Sequence, residues 1–275
     1  MKEKIGIAYL DTGIFGHPAF GQRILEFQDM VQGKIGLYDP NGHGTHVTGI
    51  AAGDGTFSKG RCMGVAPESG IIAIRILDHK GNGQIPHVLR AFQWILKNRK
   101  QYHIRIINIS FGTMNYNSKR YKDLMDGVEE MWNQGFVVVT AAGNQGPDMQ
   151  TITAPGNSPK VITVGCVDNN GKALEVSSTG PTRDCICKPD LVEHGYRVLS
   201  CTNYLSDFPY VEKTGTSMAT PKVSGGIARL LDKDGYLSNV EIKMLLKSST
   251  IDLGLPRNQQ GWGLLSLDKL LNVSK

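Results

Sequence analysis

Ser217 sits in the stretch TGTSMATPKVSGG (214–226), among small residues and four positions before a proline. A serine hydroxyl is a poor nucleophile at neutral pH and attacks a carbonyl only when a base takes its proton. Three other residues suit that chemistry. His43, flanked by glycines in NGHGTHV, carries an imidazole that accepts a proton near neutral pH. Asp11, in LDTG, is a carboxylate of the kind that orients such an imidazole. Asn144, in AAGN, has an amide NH₂ suited to donating to a developing oxyanion. Each also has a plainer reading. Asp11 and Asn144 are common turn residues, and Ser217 or Thr216 would serve as a helix N-cap. His43 with His46 would make a metal pair, but no glutamate occupies the H-E-x-x-H position. His46, one turn into a helix, reads as a packed core histidine.

The apolar pattern supplies the elements that must position these groups. The runs KIGIAYL (4–10), IIAIRIL (71–77), IRIINIS (104–110), FVVVTAA (136–142) and KVITVGC (160–166) read as strands buried on both faces. Helical spacing covers 84–100, 118–134, 216–232 and 238–247, and a helical run follows His43. Such alternation predicts an α/β fold with a mostly parallel sheet and helices on both faces. Long irregular connections are expected at 53–70, 143–159 and 178–195. Ligands of such sheets bind at the carboxyl ends of the strands. Asp11 and Asn144 fall there, while His43 and Ser217 head helices whose N-termini favour negative charge. The chain order Asp, His, Ser differs from that of the α/β-hydrolases, and GTSMA lacks the second glycine of a G-x-S-x-G elbow.

Composition narrows the rest. The 275 residues are 40% hydrophobic and 20% charged, ordinary for a globular protein with a full core, and no apolar run is long enough to cross a membrane. The net charge of +5 is spread along the chain, so no nucleic-acid or membrane partner is indicated. MKEKIGIAYLD runs straight into a strand without a signal-peptide core. With an odd number of cysteines (Cys62, Cys166, Cys185, Cys187 and Cys201), this predicts reduced thiols and a cytoplasmic location, unless a presequence has been removed. The Cys185-x-Cys187 pair finds no further ligands for a metal, and the default for all five is small buried or half-buried side chains. Gly81-Asn82-Gly83 lacks the third glycine and the lysine of a phosphate loop.

With DTG at Asp11, GHGTHV at His43, AAGN at Asn144, GTSMATP at Ser217, GVAP (64–67), SPKVITVG (158–165) and KPDL (188–191), the sequence resembles the subtilisin-like serine proteases. These are the subtilases, or peptidase S8 family. The likeness covers essentially the whole chain, and YDPNGHGTHVTG, GDGTFSKGRCMGVAPE and APGNSPKVITVG place it nearest the intracellular alkaline branch. It implies a three-layer fold, a single catalytic domain over 1–275, and a serine endopeptidase working through an acyl-enzyme. Ser217 would be the nucleophile, His43 the base and then acid, and Asp11 the orienting carboxylate. Asn144 and the Ser217 N–H would form the oxyanion hole. The edges Lys80, Gly81, Asn82, Gly83 and Ser110, Phe111, Gly112 would clasp a peptide as an extended strand. Ser110 to Gly112, Ala141, Ala142, Gly143 and Thr153, Ala154, Pro155, Gly156 would line the pocket for the residue before the cleaved bond. Glycine and alanine walls imply a roomy pocket with broad apolar or aromatic preference.

The largest departure from the family pattern is at the front: Asp11 leaves no room for the prodomain of secreted relatives, so no prodomain or signal peptide is expected, the chain being either trimmed or able to fold unaided. The other departures are local. Ala19 stands where many secreted subtilases have a calcium-binding aspartate, and the loop after the His43 helix is not their calcium loop. No required cofactor is therefore expected, and the strongest family calcium site is expected to be absent. Thr179 replaces a common arginine, and KPDLVEHG replaces the usual APG ending. A processing protease for one cytosolic peptide, or a non-catalytic module of the same family, are the alternative readings.

Overall fold

The computed structural model describes residues 4–114 and 119–272. Five strands form where the apolar runs predict them: β1 (Gly6–Asp11), β3 (Gly70–Arg75), β4 (Ile104–Ile109), β5 (Val137–Ala141) and β6 (Ile162–Val167). All pair in parallel, in the order β3-β1-β4-β5-β6. Nearly every side chain in them is buried, because helices cover both faces. On one face α1 (His43–Ala52) packs against α4 (Thr216–Lys233), which crosses β4, β5 and β6. On the other, α2 (Ile85–Asn98) packs against α3 (Lys119–Asn133).

Four further strands extend this sheet. β2 (Ile24–Asp29) closes the β3 edge, and β7 (Leu191–His194) follows β6. Beyond β7 lie β11 (Leu264–Leu265) and β10 (Thr250–Ile251), which pair antiparallel. The segment 178–195, read above as wholly irregular, thus contains a strand. Its DLVEH pattern hides it, since Glu193 is a buried acid that faces Lys222 of α4 at 4.0 Å. A separate hairpin joins β8 (Val198–Cys201) to β9 (Tyr210–Lys213), and α5 (Asn239–Ser248) begins at a Ser238–Glu241 capping box. Among the described residues no helix is long and apolar enough to cross a membrane. All five cysteines are free; Cys62, Cys166 and Cys201 are buried, but Cys185 and Cys187 are exposed rather than packed.

Strand β9 leads directly to Ser217, and two neutral histidines hold it. His46, fully buried in α1, donates from Nε2 to the Val211 carbonyl at 2.9 Å, and His17 does the same to Pro209 at 2.9 Å. Burial, with the Lys213 charge nearby, pushes the His46 pKa down to about 3, and burial also lowers that of His17. Above the unfolded value of roughly 6.5, both are neutral in either state and their full contribution is present. Below it the unfolded chain takes up protons that the folded one refuses, so stability falls with pH. His46 alone is expected to remove about 2 kcal/mol between pH 6.5 and 5. His43 shifts the opposite way, so the comparison needs a variant. Melting temperature measured across that window should fall less steeply in His46→Gln, and identical slopes would refute the assignment.

Candidate active site

Asp11 ends β1 and is buried, and His43 opens α1. Their side chains meet at 2.7 Å, His43 Nδ1 to Asp11 Oδ1. The same carboxylate oxygen accepts the Thr12 N–H at 2.7 Å, which fixes the carboxyl plane. The approach of α1 to β1 needs Gly44, since a Cβ there would lie 2.2 Å from the Gly13 carbonyl oxygen. Burial alone would lower the His43 pKa, but the Asp11 charge and hydrogen bond outweigh it and hold the imidazole above its ordinary value. Lys213 pulls the other way and Asp39 adds to the rise.

Asp39 is a residue the sequence reading missed. Its buried carboxylate accepts from Thr12 Oγ1 (2.8 Å), Gly42 N (2.8 Å), Thr45 N (2.8 Å), Thr45 Oγ1 (2.7 Å) and Asn41 N (3.2 Å). Thr12 Oγ1 in turn accepts the Gly44 N–H at 2.9 Å. A carboxylate at a helix N-terminus satisfies donors that have no partner in the helix and suits the dipole. Here it also locks the β1 end to the His43 turn. The available signal was an aspartate four residues before His43, in YDPNGH.

Ser217 occupies the second position of α4, after Gly215 at φ +148°. That glycine is required, because a Cβ would sit 2.9 Å from Asn144 Nδ2. Pro221 lies inside the helix rather than at its first turn. Having no N–H, it leaves the Ser217 carbonyl without its i+4 donor, and Ser110 Oγ donates there instead at 3.4 Å. The Ser217 hydroxyl donates to the Ser110 carbonyl at 2.9 Å, so in this conformation it is turned away from His43. Asn144 Oδ1 accepts from Thr216 N (3.0 Å) and Thr216 Oγ1 (3.1 Å), leaving its NH₂ to face the cleft.

His43, Asn144 and Ser217 line one cleft of about 390 Å³ together with Lys80, Gly81, Ser110, Phe111, Gly112, Ala141, Gly143 and Thr153. Asp11 stands behind His43. Asn82 and Gly83 line a second, adjoining pocket of about 540 Å³. Ala142, Ala154, Pro155 and Gly156 are buried behind the cleft and line neither pocket. The structure adds Thr12, Asn41, Leu77, Gln145 and Thr216 to the cleft wall. Thr153 lies against both Gly112 and Gly143. A Cβ on Gly112 would lie 2.0 Å from Thr153 Oγ1, and one on Gly143 would lie 2.6 Å from Thr153 Cγ2.

The model of the Subtilase family, Peptidase_S8, matches residues 2–263. The chain belongs to the subtilase family. Serine protease AprX of Bacillus subtilis is 37% identical over 269 residues, covering 90% of this chain and 61% of its own length. A thermostable alkaline protease of Halalkalibacterium halodurans is 32% identical over 91% of this chain and 63% of its own. The chain thus spans less than two thirds of these relatives. Subtilisin Savinase of Lederbergia lenta, 30% identical, is matched over 96% of this chain and 89% of its own length. Among solved structures, a cold adapted subtilisin-like serine proteinase superposes with a TM-score of 0.78 at 27% identity, over 96% of this chain and 87% of that one. The subtilase three-layer α/β architecture is that of the sheet and helices described above.

Proposed function

We propose that this subtilase is a serine endopeptidase that cleaves peptide bonds through an acyl-enzyme on Ser217. The observation that carries the reading is the 2.7 Å contact of buried Asp11 with His43, in the cleft wall that Ser217 and Asn144 share. Asp11 Oδ1 accepts a hydrogen bond from the His43 Nδ1–H, which holds the imidazole in the tautomer that presents Nε2 as the proton acceptor. Rotation of the Ser217 hydroxyl from the Ser110 carbonyl to Nε2 hands over its proton as Oγ attacks the peptide carbonyl. Such contacts commonly tighten only once substrate is bound. The oxyanion is received by Asn144 Nδ2 and the Ser217 N–H. His43 then protonates the leaving amine, and water repeats the sequence on the ester. The substrate lies extended between 80–83 and 110–112, with an apolar side chain against Thr153. A fluorophosphonate should label the folded protein covalently and leave Ser217→Ala unlabelled. Folded wild-type protein that takes no label would overturn the proposal.

Asn144 offers a sharper test of the oxyanion role. Asn144→Asp keeps an oxygen for the two Thr216 donors but replaces the NH₂ with an acceptor. It is expected to lower kcat by about 10²–10³-fold with KM little changed, the magnitude known for the equivalent asparagine of subtilisin itself. An equal rise in KM at constant kcat would assign Asn144 to ground-state binding instead.

The residues present do not fit the family's strong calcium site. Near Ala19, the Arg23 guanidinium donates to the Ala19 carbonyl at 2.5 Å and to the Ala52 carbonyl at the end of α1, with Asp54 Oδ2 4.0 Å away. A cation already occupies the negative end of that helix. Asp54 itself accepts the Thr56 N–H in its own turn. A calcium ion at a hundred times its Kd would add about 2.7 kcal/mol. Chelation should therefore leave the melting temperature in place, and a fall of roughly 5–10 °C would reveal a bound ion.

A further inference from the structure

The pocket adjoining the catalytic cleft carries a charge the activity does not explain. Its walls include Leu77, Ile85, Val88, Phe111 and Leu124, and it shares Leu77, Gly81, Phe111 and Gly112 with the cleft, so a bound chain passes from one to the other. Arg120, exposed in the first turn of α3, also lines this pocket. Among the described residues no carboxylate pairs with it: Lys122 takes Asp126, and Asp78 accepts the Lys80 and Asn82 N–H groups of its own turn. The opening of α3, KRYK, contains no acid in its first turn. Cations there oppose the helix dipole. A local rule broken at a cleft wall points to a use for the charge.

We propose that Arg120 selects substrates with an acidic side chain upstream of the cleaved bond. The inference rests on the proteolytic reading above. A chain clasped between 80–83 and 110–112 leads its acyl side away from Ser217 toward the second pocket. The apolar walls take the methylenes of a glutamate, and the guanidinium at the rim takes the carboxylate. Lys80, exposed on the facing edge, adds a second positive charge. Apolar walls reduce the solvent screening that makes exposed ion pairs weak.

The test is a peptide set in which one upstream position at a time is Glu, Gln, Leu or Lys, with kcat/KM measured for each. At one of these positions Glu is expected to exceed Lys by about tenfold at low salt. Raising the salt to 1 M should shrink that ratio. Arg120→Gln should bring the Glu and Gln rates together, and Arg120→Glu should favour Lys. The ratio within each enzyme is the readout, so a general loss of activity cancels. Equal Glu and Lys rates in wild type, or a Glu:Gln ratio unaltered by Arg120→Gln, would overturn the inference while peptide cleavage itself stood. If no peptide is cut and no fluorophosphonate label forms, the proteolytic reading falls and the Arg120 inference falls with it.

Discussion

Replacing Ser217 by alanine is expected to lower kcat for peptide hydrolysis about 10⁶-fold, the magnitude measured for the same serine of a subtilisin. The size follows from what is removed. Without Oγ no ester forms, so His43 has no bound nucleophile to deprotonate and only water remains. Asn144 and the Ser217 N–H would still stabilise an oxyanion, which leaves a residual acceleration of about 10³–10⁴ over the uncatalysed reaction. Stability should hardly change. The hydroxyl makes one hydrogen bond, to the Ser110 carbonyl at 2.9 Å, with a net contribution of roughly 1 kcal/mol. KM should stay near the wild-type value, since in the proposed complex the 80–83 and 110–112 edges hold the peptide. A Ser217→Ala protein retaining a tenth of the wild-type kcat, freed of contaminating protease, would rule out Ser217 as the nucleophile.

The sequence was most legible where burial is two-sided. β1, β3, β4, β5 and β6 begin and end within one or two residues of the apolar runs, because a parallel strand under two helical layers has no polar face to confuse the pattern. It was least legible where a strand carries charge. β2, ILEFQD, is a half-buried edge strand whose Glu26 accepts a hydrogen bond from the Tyr102 hydroxyl at 2.5 Å. β7 buries Glu193 beside Lys222 of α4, a residue close only through the fold. The same division holds at the cleft. Asp11, His43, Asn144 and Ser217 are recognisable because each follows a strand or heads a helix in an unusual local sequence. Asp39 and the proposed Arg120 site depend on what the fold brings next to them: the Thr12 hydroxyl and the apolar pocket at Leu77 and Ile85. No spacing in the chain encodes those neighbours.

Asp11→Asn should lower kcat by about 10⁴-fold and move what activity remains toward lower pH. Asp11 Oδ1 accepts both the His43 Nδ1–H and the Thr12 N–H, each at 2.7 Å, and Oδ2 is buried without a hydrogen-bond partner. An asparagine fits that pair of donors in neither orientation. With its oxygen toward His43 and Thr12, its NH₂ is buried where Oδ2 was and finds no acceptor. With its NH₂ toward them, it faces the Thr12 N–H and donates to Nδ1, which puts the imidazole proton on Nε2 and removes the base. The pH effect has a definite sign. Burial lowers the His43 pKa, whereas the Asp11 charge and hydrogen bond raise it, with a net rise. His43 acts as a base only when neutral, so wild-type activity should appear as pH climbs through a value above roughly 6.5. Without the Asp11 charge, burial and Lys213 outweigh the smaller opposing effect of Asp39, and the acid limb of kcat/KM should drop below that value. A pH profile of the variant, assayed with a reactive ester to reach the residual rate, decides the matter. An acid limb that stays in place or moves upward would show that Asp11 does not set the protonation of His43.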